Sequence, residues 1–507
     1  LCDFQKNKTG KSGKRVPMKN LTEYFKPFRD NTIGISQQFK SPFGTQNLVY
    51  ADWIASGRLY GPIERAITER FGPFVGNTHS EASETGTIMT RAYHEAQHII
   101  KAHVNASPDE IIINAGSGMT TVVNKLIRIL GLRVGEQLRP FLKLPSELTP
   151  VVFISHIEHH SNQTSWLETI ADVVVLDAEP DGTVGTTSLV EQLEKYKDRV
   201  LKIGSFSACS NVTGIHAPVH KLAKLMHQAG GYCFVDYACS APYVPINMHP
   251  EDPEERLDAV FFSPHKFLGG PGTPGILVFN AQLYKNSVPD DPGGGTVDWT
   301  NPWGKHKFVN NIEAREDGGT PPFLQTMKAA LAIRLKEQMG TDHILVREKE
   351  LVRLFFGELE KIPHLHILAD NLRERLGAIS LYLDNMHYNL AVRLLNDRFG
   401  IQTRGGCSCA GTYGHYLLHV DPNRSRTITD KIDDGDLSDK PGWIRISLHP
   451  TMTNDEILYI ADALRQIVAH VGTWESDYGY IAQQNEFYYS GNSVLEPHDI
   501  SAMFSIQ

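Results

Sequence analysis

Seven short apolar runs, set apart by helical patterns and glycine-rich turns, restrict this chain to few possible folds. They fall at residues 110–114, 151–155, 172–176, 200–205, 232–235, 259–262 and 275–279. Each is too short for a core helix and apolar at successive positions, the pattern of a strand buried on both faces. Residues 120–130 repeat apolar side chains at helical spacing, and 220–229 do the same before Gly230-Gly231 as a stop. Strand, helix and strand in repetition predict an α/β fold, with a mostly parallel seven-stranded sheet flanked by helices. Ligands of such sheets bind outside the carboxyl ends of the strands.

A chain of 507 residues is too long for one ordinary core. The expected division is a basic tail at 1–20, an arm at 21–60, a large domain at 61–323, a smaller α/β domain at 324–472 and an extension at 473–507. The stretch 289–322 is rich in glycine and proline and predicts a functional loop or hairpin. A long helical region is expected over 323–359. Strands at 378–383 and 443–447 follow, with helices at 389–399 and 456–471. Residues 421–442 read as a polar, charged loop.

With 41% hydrophobic and 21% charged residues the composition is that of a globular chain. Its net charge is -9 with scattered Lys and Arg, which argues against a nucleic-acid partner. No apolar run approaches the roughly 20 residues of a membrane span. The basic start lacks the apolar centre of a signal peptide, and six cysteines make no disulfide framework. The expected compartment is the cytoplasm.

Lys266, in Ser263-Pro264-His265-Lys266-Phe267-Leu268-Gly269-Gly270, stands between two apolar runs. Desolvation there disfavours the ammonium form and leaves a nucleophilic amine able to condense with an aldehyde. The plain alternative is a surface lysine in a turn. Asp236 ends the apolar run 232–235, 30 positions earlier, about one strand–helix–strand unit. A carboxylate at that edge pairs with a cofactor ring nitrogen or merely caps a turn. Gly116-Ser117-Gly118-Met119-Thr120-Thr121 follows a strand and opens a helix, which suits a phosphate or an ordinary N-cap. It is neither a Walker loop nor, lacking the third glycine, a dinucleotide fingerprint.

His156, His159 and His160 crowd after the run 151–155. One imidazole there can stack on a flat cofactor. Zinc is the rival, though adjacent histidines rarely both ligate and a separated further ligand is missing. Arg404-Gly405-Gly406-Cys407-Ser408-Cys409-Ala410-Gly411 places a cysteine near an arginine on a glycine-flanked loop. That is a nucleophile with a lowered pKa, half of a metal site, or a structural cysteine. Arg445 sits in an apolar segment, as a clamp for a carboxylate or as half of a surface salt bridge.

In their order these segments resemble the class V aminotransferase family of fold-type I pyridoxal-phosphate enzymes, and most closely its cysteine desulfurase and selenocysteine lyase branch. The resemblance runs over about 50–471. It implies pyridoxal 5'-phosphate as cofactor, no metal, and an amino-acid substrate. Lys266 is implied as the Schiff-base lysine and catalytic base, with Ser263 and His265 on the cofactor phosphate. Gly118, Met119 and Thr120 are implied in the same phosphate site. Asp236 pairs with the ring nitrogen, and His159 stacks on the ring as a catalytic group. Asn211 and Arg445 resemble the substrate-carboxylate residues. Gly319-Thr320-Pro321 resembles the motif whose threonine reaches the phosphate of a neighbouring subunit, which implies a homodimer with shared sites.

Arg404, Gly406, Cys409 and Ala410 fit the Arg-x-Gly-x-x-Cys-Ala motif of the desulfurases. Arg404 then faces substrate, and Cys409 takes the sulfur of L-cysteine as a persulfide, leaving L-alanine and handing sulfur to an acceptor protein. Two positions depart from the pattern: Cys239 stands where desulfurases carry Gln, and 421–442 is an insertion. The alternatives are an aminotransferase or other lyase in which Cys409 is structural, and a scaffold without chemistry.

Overall fold

The computed structural model describes residues 20–78, 80–491 and 500–506. The basic tail expected at 1–20 lies outside the described residues apart from Asn20. The seven apolar runs form β1 (Ile111–Ala115), β2 (Val151–Ile154), β3 (Asp172–Val175), β4 (Lys202–Ser207), β5 (Tyr232–Asp236), β6 (Ala259–Phe262) and β7 (Gly275–Phe279). They make one seven-stranded sheet in the order β1-β7-β6-β5-β4-β2-β3. Its pairs from β6 to β3 are parallel, while β7 runs antiparallel to both β6 and β1. The reason is the connection from β6 to β7. It holds one short turn of helix, Pro264–Lys266, and no crossover helix, so the next strand returns in the opposite sense.

β4 extends past its apolar residues to Ser207 because its serines are satisfied. Ser205 donates to Asn162 Oδ1 at 2.7 Å and Ser207 to Glu158 Oε2 at 2.6 Å. Buried hydroxyls with partners cost little, so the strand continues through them. Apolar side chains line both faces, in two clusters that include Val235 and Val260 on one side and Phe234 and Phe261 on the other.

A second sheet carries β8 (Leu365–Ile367), β9 (Ala378–Leu383), β10 (Arg404–Gly406) and β11 (Trp443–Ser447) in the order β8-β9-β11-β10, all antiparallel. Helices α1 (Glu84–His103), α2 (Met119–Ile129), α3 (Phe323–Met339), α4 (Thr341–Leu359), α5 (Pro422–Asp433) and α6 (Asn454–Trp474) matter most for the site. The long helical region is two helices, broken at Gly340, whose φ of +75° suits glycine. α3 packs on α1 through Met327 and Ala330 against Met89, Tyr93 and Ala96, whereas α4 packs on α6.

The N-terminal arm crosses to the C-terminal part of the chain, where Asp52 bridges Ser447 of β11. Arg29 grips Glu456 with two hydrogen bonds of 2.7 and 2.8 Å, and Val49–Tyr50 pairs in parallel with Ile401–Gln402. Residues 289–322 hold a hairpin, Val297–Thr300 with His306–Phe308. Its base is pinned by buried Lys125, which meets Asp291 at 2.8 Å and Glu316 at 2.9 Å.

The loop expected over 421–442 contains α5 instead. Asp421 caps it by accepting from the N–H groups of Asn423 and Arg424, and Ile428 is its only buried side chain. A helix with so little apolar surface has no stripe for a sequence reading to find. The extension 473–507 includes a hairpin, Tyr478–Ile481 with Glu486–Tyr489. Among the described residues no helix is long and apolar enough to cross a membrane.

Candidate active site

One cavity of about 290 Å³ opens at the carboxyl edge of the sheet and gathers residues from both halves of the chain. Gly118, Met119 and Thr120 reach it from the start of α2, His159 from the end of β2, and Asp236 from the end of β5. Ser263, His265 and Lys266 line it from the turn after β6, Asn211 from the loop after β4, and Arg404, Cys409 and Arg445 from the second sheet and its loops. Of the predicted site residues, Thr320 alone does not line it and is exposed.

One end of the cavity is built by the turn after β1, the start of α2 and the turn after β6. No side chain caps α2 at Gly118. Ser263 Oγ accepts the Met119 N–H at 2.8 Å and so ties the two turns together. Thr120 Oγ1 lies 2.7 Å from Ser161 Oγ, and His265 Nδ1 donates to the Ser117 carbonyl at 2.9 Å. A Cβ on Gly118 would stand 3.0 Å from His265 Cε1 and 3.2 Å from Ser263 Oγ, so the cradle is closed around a glycine. Free N–H groups, the helix dipole and three hydroxyls favour an anion there.

Lys266 faces the cavity from the sheet edge. Loss of solvent lowers its amine pKa from the usual lysine value, while the nearby Cys239 and Asp236 oppose that as anions. Asp236 is buried, and its only carboxylate hydrogen bond among the described residues is from the Ala238 N–H at 2.7 Å. Burial pushes its pKa up to about 7. Lys266 offsets part of that rise by its charge, but no cation stands at ion-pair distance from the carboxylate among the described residues. His159 is pushed down to about 3, first by burial and then by the charge of Lys266. Its Nδ1 accepts the Ser161 N–H at 3.1 Å, so the neutral ring carries its proton on Nε2.

At the other end Arg445 is buried. It donates to Asp52 Oδ1 at 2.7 Å and to the Asn211 carbonyl at 3.2 Å, and its Nε has no partner. Asn211 Oδ1 is likewise buried and unpartnered, while its Nδ2 holds the Ser408 carbonyl at 2.7 Å. Ser408 and Cys409 both take left-handed backbone angles, φ +52° and +59°. Hydrogen bonds hold that conformation: the His160 N–H donates to the Cys409 carbonyl at 2.7 Å, and the Gly411 N–H donates to His160 Nε2 at 2.9 Å. The three histidines thus separate, with His156 against Tyr413 and Tyr416, His160 under the cysteine loop, and His159 at the cavity.

The sequence reading misses Asp52, Ser161, Ser207, Glu158 and Cys209. Ser161 adjoins the histidines and was within reach of the same argument. Asp52 carries no local signal, because only tertiary folding brings the arm to Arg445. Buried Glu158 bonds Ser155, Asn162 and Ser207, and so fixes the turn that carries His159.

An amine kept neutral more easily than usual, an unpaired buried carboxylate across a sheet edge and an anion cradle fit pyridoxal phosphate. Lys266 would anchor it, Asp236 would face the ring nitrogen and the α2 cradle would take the phosphate. The fold and this site define a pyridoxal-phosphate enzyme. The family model for aminotransferase class-V matches residues 49–460, and the chain belongs to that family.

Among curated relatives, a probable cysteine desulfurase of Halalkalibacterium halodurans is 27% identical over 367 residues, 72% of this chain and 84% of that protein. A cysteine desulfurase of Haloferax volcanii is 25% identical over 402 residues, 76% of this chain and 86% of that protein. The fold is similar to that of an apo cysteine desulfurase from Thermococcus onnurineus, with a TM-score of 0.68 at 21% identity. That match covers 83% of this chain and 95% of the other. The cysteine desulfurase CsdA of Escherichia coli is also similar, with a TM-score of 0.65 at 20% identity, covering 87% and 98% of the two chains.

Proposed function

We propose that this enzyme is a cysteine desulfurase, converting L-cysteine to L-alanine with Cys409 as sulfur acceptor. The observation that carries the reading is the placement of Cys409 on the wall of the cavity that holds Lys266 and Arg445. Two relatives that bear the desulfurase name span most of this chain.

Arg445 and Asn211 bind the substrate carboxylate. Nε of Arg445 is a buried donor without a partner, which a carboxylate oxygen satisfies. Pyridoxal phosphate, when bound, supplies the electron sink for the pair released at the substrate Cα. Lys266 takes the Cα proton on Nζ and holds it for return, a role its lowered pKa suits. Asp236 would hold its negative charge against the ring nitrogen, and His159 would cover the ring as a neutral imidazole. The Cys409 sulfur gives up its proton and bonds to the substrate sulfur while the Cβ–S bond breaks. That bond's electron pair stays on Cβ, which takes a proton to become the methyl group of alanine, and the substrate sulfur remains on Cys409 as a persulfide. A thiol acceptor then removes it. The left-handed turn at Ser408 and Cys409 brings the residue to the cavity wall, and the bonds to His160 hold the turn there.

The test supplies L-cysteine and a range of other amino acids to the loaded enzyme and scores sulfide and alanine. Cys409→Ala is expected to lower sulfide release by about 10²-fold or more, since the covalent acceptor is lost. Sulfide release that survives Cys409→Ala at the original rate removes the persulfide role. Brisk transamination of another amino acid without sulfide moves the enzyme to the aminotransferase reading.

The reading extends to a homodimer with shared sites. Thr320 is exposed and outside its own cavity, beside Gly318, where a Cβ would meet the Asp291 carbonyl at 2.2 Å. The bonds of Lys125 to Asp291 and Glu316 fix the base of that loop, which leaves Thr320 open to a partner's phosphate cradle. Equilibrium sedimentation is expected to give twice the chain mass, and Thr320→Ala to weaken cofactor retention by roughly tenfold, the worth of one hydrogen bond to a charged group. A monomer with full cofactor retention contradicts both.

A further inference from the structure

Two cysteines line the cavity without a place in the mechanism above. Cys209 lies just beyond β4 and Cys239 just beyond β5, neighbouring parallel strands, and both are buried except toward the cavity. Their sulfurs point to one atom. Cys209 Sγ is 3.6 Å and Cys239 Sγ 3.5 Å from the carbonyl oxygen of Ser210. That oxygen already accepts the Gly214 N–H at 2.9 Å. A carbonyl has two lone pairs, so three donors cannot all be served. One thiol takes the remaining lone pair and the other turns to its neighbour's sulfur.

The pair is also electrically uneven. The hydrogen bond from Cys209, then the charges of Lys266 and Arg445, lower the pKa of Cys239, while burial first, then Cys239, raises that of Cys209. A thiol made more acidic beside one made less acidic, both on the same carbonyl, is the arrangement of an attacking and a resolving cysteine.

We propose that Cys209 and Cys239 are a redox-active dithiol in the wall of the Lys266 cavity, closed to an intramolecular disulfide by hydrogen peroxide. The Cys239 sulfur attacks one peroxide oxygen. The O–O bond breaks, giving a sulfenic acid on Cys239 and hydroxide, which becomes water with the thiol proton. The Cys209 sulfur then displaces the hydroxyl from Cys239, the S–S bond forms, and the departing hydroxide takes the Cys209 proton as a second water. Two thiols lose two hydrogens and one peroxide becomes two waters. Closure joins the loops after β4 and β5 and removes the Cys239 thiol from beside Lys266. This modification does not depend on the desulfurase reading, because it uses neither Cys409 nor a sulfur substrate.

The experiment treats the cofactor-loaded full chain with graded hydrogen peroxide, alkylates the remaining thiols after denaturation and maps the peptides by mass. The expected result is loss of two alkylatable thiols, a peptide pair linked through Cys209 and Cys239, and full reversal by dithiothreitol. The same link is expected in a Cys407→Ser/Cys409→Ser double variant, which removes the competing pair on the nearby loop. In Cys209→Ser the link is lost and Cys239 proceeds to sulfinic acid, which dithiothreitol does not reverse. Oxidised wild-type protein in which Cys209 and Cys239 both remain alkylatable overturns the proposal, whatever the variants do. So does a link confined to Cys407 and Cys409.

Discussion

Lys266→Ala is expected to lower turnover by at least about 10²–10⁴-fold, the range for losing a positioned proton-transfer group. It is also expected to abolish borohydride trapping of the cofactor on the protein. These effects share one origin. The amine stands at the sheet edge where burial lowers its pKa, so a neutral, nucleophilic fraction exists at lower pH than for free lysine. In the mechanism proposed above the same amine carries the proton between the substrate carbon and the cavity. Lys266→Arg is an informative companion, because it preserves the positive charge felt by Asp236 and His159 but cannot lose its proton near neutrality. It should lose turnover about as completely as alanine while leaving the charge balance of the cavity intact. Absorbance of the loaded protein, peptide mapping after borohydride reduction, and sulfide and alanine assays check the three statements. If Lys266→Ala kept both turnover and a reducible link to the protein, another amine would be the anchor and the cavity would have been misread.

Much of this was legible in the sequence because the central strands are buried on both faces. A strand with no solvent-facing side must be apolar at successive positions, as Val151–Ile154 and Ala259–Phe262 are, and its ends then mark the ligand edge. Lys266 and Asp236 stand out against that background because a charge at the end of an apolar run needs a reason. The residues that escaped lack any such contrast. Asp52 is one acid in a mixed segment, and its bond to Arg445 joins positions 393 apart in the chain. Cys209 looks like an ordinary small core residue, and Cys239 is marked only by standing where desulfurases carry Gln, until folding turns both to the Ser210 carbonyl. α5 is polar on nearly every side, so its helix rests on the Asp421 cap and local bonds rather than on a buried stripe. The reversed direction of β7 leaves a trace in the sequence, a connection without a helical pattern, but that trace becomes decisive only beside the strand order.

Asp236→Asn is expected to stabilise the cofactor-free protein in mildly alkaline solution while impairing catalysis severely. The folded pKa of Asp236 is about 7 against an ordinary 3.8, with burial as the leading cause. Below the unfolded value the carboxyl is protonated in both states and costs nothing. Between the two values the folded state binds more protons than the unfolded chain, so stability falls as pH rises, and the loss is complete above about 7. The gap corresponds to roughly 4 kcal/mol by linkage, to order of magnitude. Asparagine keeps an acceptor for the Ala238 N–H and removes the buried charge. Its unfolding midpoint should therefore exceed that of wild type at pH 8 and match it near pH 4. Denaturant titrations of both cofactor-free proteins at the two pH values measure this, and a difference independent of pH would contradict it. A cation against the carboxylate, as the ring nitrogen of pyridoxal phosphate provides, lowers the Asp236 pKa and relieves the same cost. Loading the wild type with cofactor should then raise its midpoint at pH 8 more than it raises that of Asp236→Asn. The unpaired buried acid is thus a liability of the empty cavity and a source of affinity in the filled one.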